Sequence, residues 1–270
     1  MKNLFKVIVF VLPAMLVFPS CEKDKKTVED PGVPAPIAGG SSTISATGTM
    51  KVEFHNMVDS DPLEYGKMYK NPHGDPYTIS KFNYYISNIV LTKNDNSKIT
   101  IANQYQIIEQ ADDTTRTIKL KGVPEGSYKA IRLILGVDSA RNKSGAQSGG
   151  LDVNYASDMY WGWNQGYIFL KLEGTSDSSA TKSITFHMGG ASGVYKTQRE
   201  INIDFVAAEA NVTKTSTPTL HLNVDVNEMF KSPALIAFSV NSNAQSAGTK
   251  IAKTIADNYA DMIKYGSIKN

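Results

Sequence analysis

Apolar and polar residues alternate at every second position over most of this chain, and that pattern constrains its fold more than any other feature. The clearest runs cover residues 50–58, 131–137, 201–205 and 220–226. Alternation with a period of two is typical of half-buried β-strands that have one face on a core. Further strands are predicted near 79–91, 99–108, 117–121, 166–173, 183–188 and 235–240. Turn signals such as Val123-Pro124-Glu125-Gly126 separate them, so the sequence predicts a mainly β fold, an antiparallel β-sandwich of about ten strands with long loops.

One C-terminal segment has a different period. Between Lys250 and Lys264, apolar residues recur at helical spacing, and Gly266 supplies a stop signal. We therefore expect a single C-terminal helix that packs against the sandwich. No internal repeat or second linker interrupts the chain, so residues 49–270 are predicted to form one domain.

The N-terminus has the pattern of an export signal that ends at a lipidated cysteine. Residues 1–20 place two lysines before an apolar run from Val7 to Phe18, which is shorter than the roughly 20 residues that span a bilayer. Ser20-Cys21 then resembles a bacterial lipobox, and Cys21 is the one cysteine of the chain. Residues 21–48 read as the lipidated cysteine and a disordered tether. We predict an outer membrane lipoprotein that faces the periplasm or the cell surface and is held to the membrane by its N-terminal lipid; a plain secreted protein is the alternative.

Charge and motif content argue against several functional classes. Of 28 Lys and Arg residues, two lie in the first 20, and the remaining 26 balance 26 Asp and Glu residues. A balanced chain lacks the basic footprint of a nucleic-acid-binding protein, so no nucleic acid partner is expected. The signatures Gly-x-Ser-x-Gly, His-Glu-x-x-His, the Walker loop and Gly-x-Gly-x-x-Gly after a strand are also missing. We therefore predict a binding protein and not an enzyme.

Three histidines lie on predicted strands and point away from the apolar face. His55 shares the polar face of its strand with Met57, while His187 and His221 alternate with apolar neighbours. Imidazole together with a thioether is a ligand set that suits copper, particularly Cu(I). Spacing alone favours the alternative that these are solvated strand residues. The fourth histidine, His73, lies in a predicted turn and is the weakest candidate.

Both tryptophans lie close together at Trp161 and Trp163, within an aromatic stretch. A core aromatic cluster is the favoured interpretation, because an indole buries a large apolar area. The alternatives are an exposed stacking platform for a sugar and a redox-active indole beside a metal.

The long loop between Gly136 and Asp158 contains three aspartates, Asp138, Asp152 and Asp158. Carboxylate oxygens at irregular spacing could hold calcium, although they lack EF-hand spacing. Helix-capping and turn roles are favoured over a calcium site.

Ordered sequence blocks over residues 49–265 resemble those of the MbnP-like copper-binding family. The blocks are Tyr84-Tyr85-Ile86-Ser87-Asn88-Ile89, Gly136-Val137-Asp138, Gly150-Leu151-Asp152, Met159-Tyr160-Trp161-Gly162-Trp163, Gly166-Tyr167-Ile168, Lys171-Leu172-Glu173-Gly174, Phe186-His187-Met188-Gly189-Gly190 and Ala256-Asp257-Asn258-Tyr259. The family is named for a periplasmic partner of methanobactin, and many of its Bacteroidetes members look like lipoproteins.

This resemblance implies a β-rich extracytoplasmic domain that binds copper through histidine. His55 and His187 match recurring histidines of the family, and Trp161 or Trp163 occupies its tryptophan-rich block. In some relatives a tryptophan is oxidised to kynurenine by a dihaem oxidase of the MauG type, so a MauG-like partner is implied here as well.

The C-terminal tail departs from the family pattern. Relatives often carry a His-Met-Pro-Gly segment before the last helix and further histidines at the C-terminus, whereas no histidine follows His221 here. The alternative function is therefore a non-metal surface binding module, for a glycan or a protein ligand, on the same fold with a decayed metal site.

Overall fold

Two β-sheets lie on either side of the main apolar core. The structure is a computed structural model that describes residues 46–144, 147–163 and 166–270. Its strands are β1 (Thr47–Val58), β2 (Asp61–Pro62), β3 (Tyr69–Lys70), β4 (Pro76–Lys93), β5 (Lys98–Thr100), β6 (Tyr105–Glu109), β7 (Thr117–Pro124), β8 (Gly126–Leu135), β9 (Tyr160–Trp161), β10 (Gly166–Thr175), β11 (Ser183–Gly189), β12 (Arg199–Asp204), β13 (Ala210–Val212), β14 (Thr219–Asp225), β15 (Asn243–Ala244) and β16 (Ile263–Lys269). The α-helices are α1 (Ser139–Asn142) and α2 (Lys250–Asn258), and 3-10 turns cover Asp113–Arg116, Gly149–Leu151, Ser157–Met159, Val226–Phe230 and Tyr259–Asp261.

The first sheet is built around β1. Its strand order is β16-β14-β1-β2, and β7 also pairs with β1. Strands β1 and β14 run parallel, whereas the other pairs of this sheet are antiparallel. Because successive side chains of a strand point to opposite faces, one face of this sheet meets the core and the other is left outside.

The second sheet is built around β4, the longest strand at 18 residues. Its main order is β12-β8-β4-β10-β11-β15, with β3, β5, β6, β9 and β13 paired at its margins. Only β11 and β15 run parallel among its described pairs. The inner faces of both sheets, α2 and β16 contribute to the main core.

A smaller apolar cluster lies outside the main core. Strand β10 contributes Tyr167, Ile168 and Phe169 to this cluster, while Leu170 and Leu172 belong to the main core. Leu151, Met159 and other residues of the long loop also belong to it, together with Tyr85 of β4 and Ile107 of β6. A strand covered on both faces becomes apolar at nearly every position, which explains why β10 departs from simple alternation.

The predicted fold class is confirmed: the chain is mainly β, its sheets form a sandwich-like arrangement, and one helix lies near the C-terminus. Ten of the described strands contain five or more residues, in line with the predicted number of about ten. The arrangement is not purely antiparallel, because β1–β14 and β11–β15 are parallel pairs. Within the described residues, no helix has the length and apolar composition to cross a membrane.

Two local predictions near the C-terminus were wrong. Residues 235–240 form no strand: Ile236 and Phe238 are buried, but Phe238 N donates to Asp75 Oδ2 and no ladder forms. The α-helix ends at Asn258 and not at Lys264: a 3-10 turn, Tyr259–Asp261, follows it, and the buried amide of Asn258 donates to the carbonyls of Met229 and Ala234.

Strand β16 follows the helix, and its existence was not predicted. Its residues Ile263, Tyr265 and Ile268 pack against the main core, and the register shifts opposite His221/Leu222. The β-bulge around Gly266 hides the alternation of this segment from a simple period-two reading. Gly266 is thus a bulge residue within a strand and does not mark the end of a helix.

Candidate metal site

The parallel pairing of β1 with β14 brings three potential metal ligands together on the outer face of the first sheet. Glu53 is the Cα partner of His221, and His55 lies two residues further along β1. On β1 the intervening Val52 and Phe54 are buried in the core, so Glu53 and His55 point outward. His221 lies between buried Leu220 and Leu222 and points to the same side.

The three side chains form one close group. His55 Nε2 and His221 Nδ1 are 2.9 Å apart, and the two rings stack with centroids 5.1 Å apart and an angle of 28° between their planes. Glu53 Oε1 lies 3.8 Å from His55 Nε2, and Glu53 Oε2 lies 3.4 Å from His221 Nδ1. Across residues 46–144, 147–163 and 166–270, this is the one group of three His, Cys, Asp or Glu side chains whose ligand atoms lie within 4.8 Å of one another.

The donor set fits a transition-metal ion. Two imidazoles and a carboxylate suit Cu, Zn and related ions. An ion at about 2.0 Å from each nitrogen in tetrahedral geometry separates the two nitrogens by about 3.3 Å, so the observed separation needs to widen by only a fraction of an ångström. The side chains of His55 and His221 are 41% and 24% exposed, which leaves room for such a rotation and for further ligands.

Space for additional ligands lies on both sides of the histidine pair. A cavity of about 390 Å³ is lined by Glu53, His55 and Met57 together with Gln110 and Arg116. A shallower depression of about 440 Å³ lies on the other side and is lined by His55, His221 and residues of β16. Met57, on the same face of β1, places a soft donor in the lining of the cavity that Glu53 and His55 also line.

His187 lies in a different environment, on the second sheet. Its Nε2 is 2.7 Å from Glu173 Oε1, and its partner in the ladder is Lys171. Lys171 Nζ donates to the carbonyl and the carboxylate of Asp158, which also accepts a hydrogen bond from Lys81. The structure thus brings His55 and His221 together and places His187 in an ion-pair network, which we call the His187 network (Lys81, Asp158, Lys171, Glu173 and His187).

The pKa values of two members of this network, His187 and Asp158, are shifted. Burial lowers the pKa of His187, and the hydrogen bond to Glu173 opposes that effect only in part. For Asp158, burial alone would raise the pKa, but the hydrogen bonds from Lys171 and Lys81 outweigh burial and lower it. Histidine His73 lies elsewhere, in a turn where its Nδ1 is 3.2 Å from Asp75 Oδ2.

The two tryptophans are neighbours but differ in exposure. Trp161 is 6% exposed and packs on Gly189, where an added Cβ would lie 2.5 Å from the indole. Trp163 is 70% exposed, and its ring centroid lies 5.7 Å from that of Trp161. The first indole is therefore part of the smaller core, and the second is a surface ring.

The three loop aspartates have separate protein partners. Asp138 caps α1 by accepting from the backbone N–H groups of Ala140 and Arg141. Asp152 accepts from the backbone and side chain of Asn154, and Asp158 belongs to the His187 network. These are the cap, turn and ion-pair roles that compete with calcium binding, and the three carboxylates do not form a common group among the described residues.

Glu53 was missed by sequence reasoning. Its position two residues before His55 placed it on the same face of the strand, which was the available signal. The partnership of His55 with His221 depends on a parallel pairing between strands 166 residues apart, and no local pattern reports it. The lipidation residue Cys21, the signal peptide and nearly all of the tether lie outside the described residues.

Comparison with known proteins identifies the family. The family model MbnP matches residues 47–251, and the chain therefore belongs to the MbnP family, as the sequence blocks predicted. No curated protein matches the chain. Among solved structures, the chain is similar to MbnP from Methylosinus trichosporium, with 13% identity and a TM-score of 0.49 over 76% of this chain and 82% of that chain. This structural similarity is too low to carry an argument about individual residues.

Proposed function

We propose that this protein is an extracytoplasmic, lipid-anchored protein that captures or handles copper at Glu53, His55 and His221. The observation that carries the proposal is the 2.9 Å approach of two imidazole nitrogens from different strands on an open face, with a carboxylate beside both. Membership of the MbnP family supports the choice of a metal-binding function.

The donor set favours copper over other divalent ions. Copper binds N and O donors more tightly than its neighbours in the first transition row. In the cavity beside the pair, the thioether of Met57 offers a soft donor for Cu(I). Glu53 supplies an oxygen donor, and its negative charge offsets the charge of the ion.

Copper stoichiometry of matched histidine variants tests the proposal. We expect the purified protein to bind about one copper ion and His55→Ala or His221→Ala to lose most of it, because each removes one of two nitrogen donors. His187→Ala and His73→Ala are the controls, since they remove an imidazole elsewhere, and both should keep the parent stoichiometry. A parent protein that binds no copper, or one in which all four variants lose copper equally, contradicts the proposed site.

Glu53 and Met57 are tested separately, through affinity and metal preference. Glu53→Gln keeps the shape of the side chain and removes its charge, so copper affinity should fall while stoichiometry stays near one. Met57→Leu keeps the apolar volume and removes sulfur, so the affinity for Cu(I) should fall more than the affinity for Cu(II). Equal losses for both oxidation states would exclude Met57 as a ligand.

The membrane anchor is proposed from the leader, whose apolar run ends at Ser20-Cys21. Cells that express the full chain should carry it in the membrane fraction with a lipid mass on Cys21. Cys21→Ser should release the protein from that fraction without changing its copper stoichiometry. A membrane-bound Cys21→Ser variant would contradict lipidation at this residue.

A dihaem oxidase of the MauG type is proposed as a partner, and the two indoles define where it would act. Trp163 is the accessible ring, and Trp161 lies directly behind it. Intact mass of protein from its native cells should show the loss of one carbon and the gain of one oxygen on a tryptophan. Trp163→Phe should abolish that change; an unmodified native protein contradicts this part of the proposal.

A further inference from the structure

A row of lysines crosses the outer face of the first sheet. Lys51 on β1 is the Cα partner of Lys119 on β7 and of Thr219 on β14, and Thr219 is in turn the partner of Lys269 on β16. Lys121 lies two residues from Lys119 on the same face of β7. We call Lys51, Lys119, Lys121 and Lys269 the lysine row; three of its members are exposed and Lys51 is partly exposed.

The lysine row lacks anionic partners within the part of the chain that the structure describes. None of its four lysines takes part in an ion pair there, whereas Lys67, Lys81, Lys171, Lys253 and Lys264 all do. Like charges directly opposite each other on neighbouring strands are unfavourable. The Lys51–Lys119 pair therefore gains from any anionic group that settles between its ammonium groups.

The lysine row borders the candidate metal site. The next outward positions along the strands are occupied by Thr117, Glu53, His221 and Ser267, so the two rows are one pleat repeat apart. That distance is about 7 Å, which is shorter than the Debye length of about 8 Å at physiological ionic strength. A partner seated on the lysines thus reaches the histidine pair.

The chemistry of the face indicates what kind of partner it fits. No large exposed hydrophobic residue lies on β1, β7, β14 or β16, so this face offers no apolar side chain to insert into a bilayer. It also offers no exposed aromatic ring for stacking on bases. The positive charges of the lysine row are electrostatically complementary to carboxylates on the surface of a partner protein.

We propose that the lysine row is the docking surface for a carboxylate-rich partner protein that exchanges metal with Glu53, His55 and His221. The metal-exchange part rests on the proposed function, whereas the docking part stands on the charge pattern alone. Docking would place the partner over the open side of the histidine pair, where a ligand from the partner can reach the ion.

Binding of a peptide of eight glutamates to the metal-free full chain tests the docking surface. Replacing all four lysines of the row by glutamine should weaken peptide binding about tenfold at low salt, because several surface ion pairs are lost together. The control variant carries the same net charge change at four exposed lysines elsewhere: Lys70, Lys143, Lys196 and Lys250. It should bind the peptide like the parent; equal weakening of both variants would show a net-charge effect only and would overturn the proposal.

Other occupants are distinguished by parallel measurements. Vesicles of phosphatidylcholine with phosphatidylglycerol should bind the parent and the row variant equally; vesicle binding that depends on the row overturns a protein partner. Displacement of the peptide by inorganic phosphate at constant ionic strength would also overturn it. Neutralising Glu22, Asp24, Glu29 and Asp30 should leave peptide affinity unchanged. A large gain in affinity would show that these N-terminal carboxylates of the chain itself occupy the row, and it would overturn a partner protein. Self-association that depends on the row would instead identify a second copy as the occupant.

Metal measurements separate this inference from the proposed function. The row variant should keep the parent copper stoichiometry, while His55→Ala with His221→Ala should keep peptide binding. Copper supplied as its complex with the glutamate peptide should load the parent about tenfold faster than the row variant, because steering by the lysines is lost. Equal loading rates would overturn the role of the row in metal exchange without affecting the histidine site.

Discussion

The histidines on the outer faces of the two sheets differ in exposure and in polar partners. On the first sheet, His55 and His221 are partly exposed, and their nitrogens approach each other with a single carboxylate beside both. On the second sheet, His187 is 13% exposed and belongs to a network with two cations and two anions beneath a long loop. A histidine that already has a partner and little solvent is a structural residue, whereas two open histidines that face each other are available to a ligand.

Trp161 packs the long loop against the second sheet. Truncation of the Trp161 side chain is expected to have the largest effect on stability. Trp161→Ala removes a buried indole that packs on Gly189 and should destabilise the fold by about 3–5 kcal/mol. Copper stoichiometry of the folded variant should stay at the parent value, since the indole belongs to the smaller apolar cluster, to which β1 and β14 contribute no described residue. Urea denaturation and metal analysis measure the two quantities; loss of copper from the folded variant would link the two faces and contradict the comparison.

Lys171 is the buried cation of the His187 network, and its removal is the next largest perturbation. Lys171→Met leaves the carboxylate and the carbonyl of Asp158 without their buried donor and should cost about 1–3 kcal/mol. Lys81→Met removes only the more exposed partner of the same carboxylate and serves as the matched control, with a cost below about 1 kcal/mol. Equal costs measured by urea denaturation would mean that Lys171 is not the main anchor of the loop.

The sequence was sufficient for the fold class because buried residues alternate regularly with more exposed ones along β12 and β14, along β1 from Met50 and along β8 from Ile131. It failed where local pattern and tertiary context disagree. Residues 235–240 alternate, yet Asp75 holds Phe238 in a loop, and β16 is interrupted by the bulge at Gly266. For the site, the alternation of side chains along a strand predicted that the histidines point outward. The contact between His55 and His221, however, depends on the pairing register of β1 with β14, which are distant in the sequence. Trp161 and Trp163 shared one local pattern, and only packing separates the buried ring from the exposed one.

Acid sensitivity of the metal-free protein should come partly from His187. Burial lowers its pKa in the folded state, so the unfolded chain binds the proton more tightly. Stability from this group is therefore fully present above the ordinary histidine pKa of about 6.5 and is lost as the pH falls from there toward the lowered pKa. His187→Gln keeps a polar side chain and should flatten the stability profile below about pH 6.5. An unchanged profile in that range, measured by thermal unfolding, would mean that His187 does not couple to folding.

Substitutions at Glu53, His55 and His221 are expected to change the stability of the metal-free protein least. Their effect on stability should become large only when copper is bound. Without copper, His55→Ala should change the free energy of unfolding by less than about 0.5 kcal/mol, since the side chain is 41% exposed and contributes nothing to the core. With free copper at about 100 times its dissociation constant, the parent should gain about 2.7 kcal/mol by binding the ion in the folded state. The His55→Ala variant should lose most of that gain, whereas His187→Ala, although less stable to begin with, should show the full gain. Thermal unfolding of the three proteins with and without copper measures this, and a copper-dependent gain that survives His55→Ala but disappears in His187→Ala would reverse the assignment of the two faces.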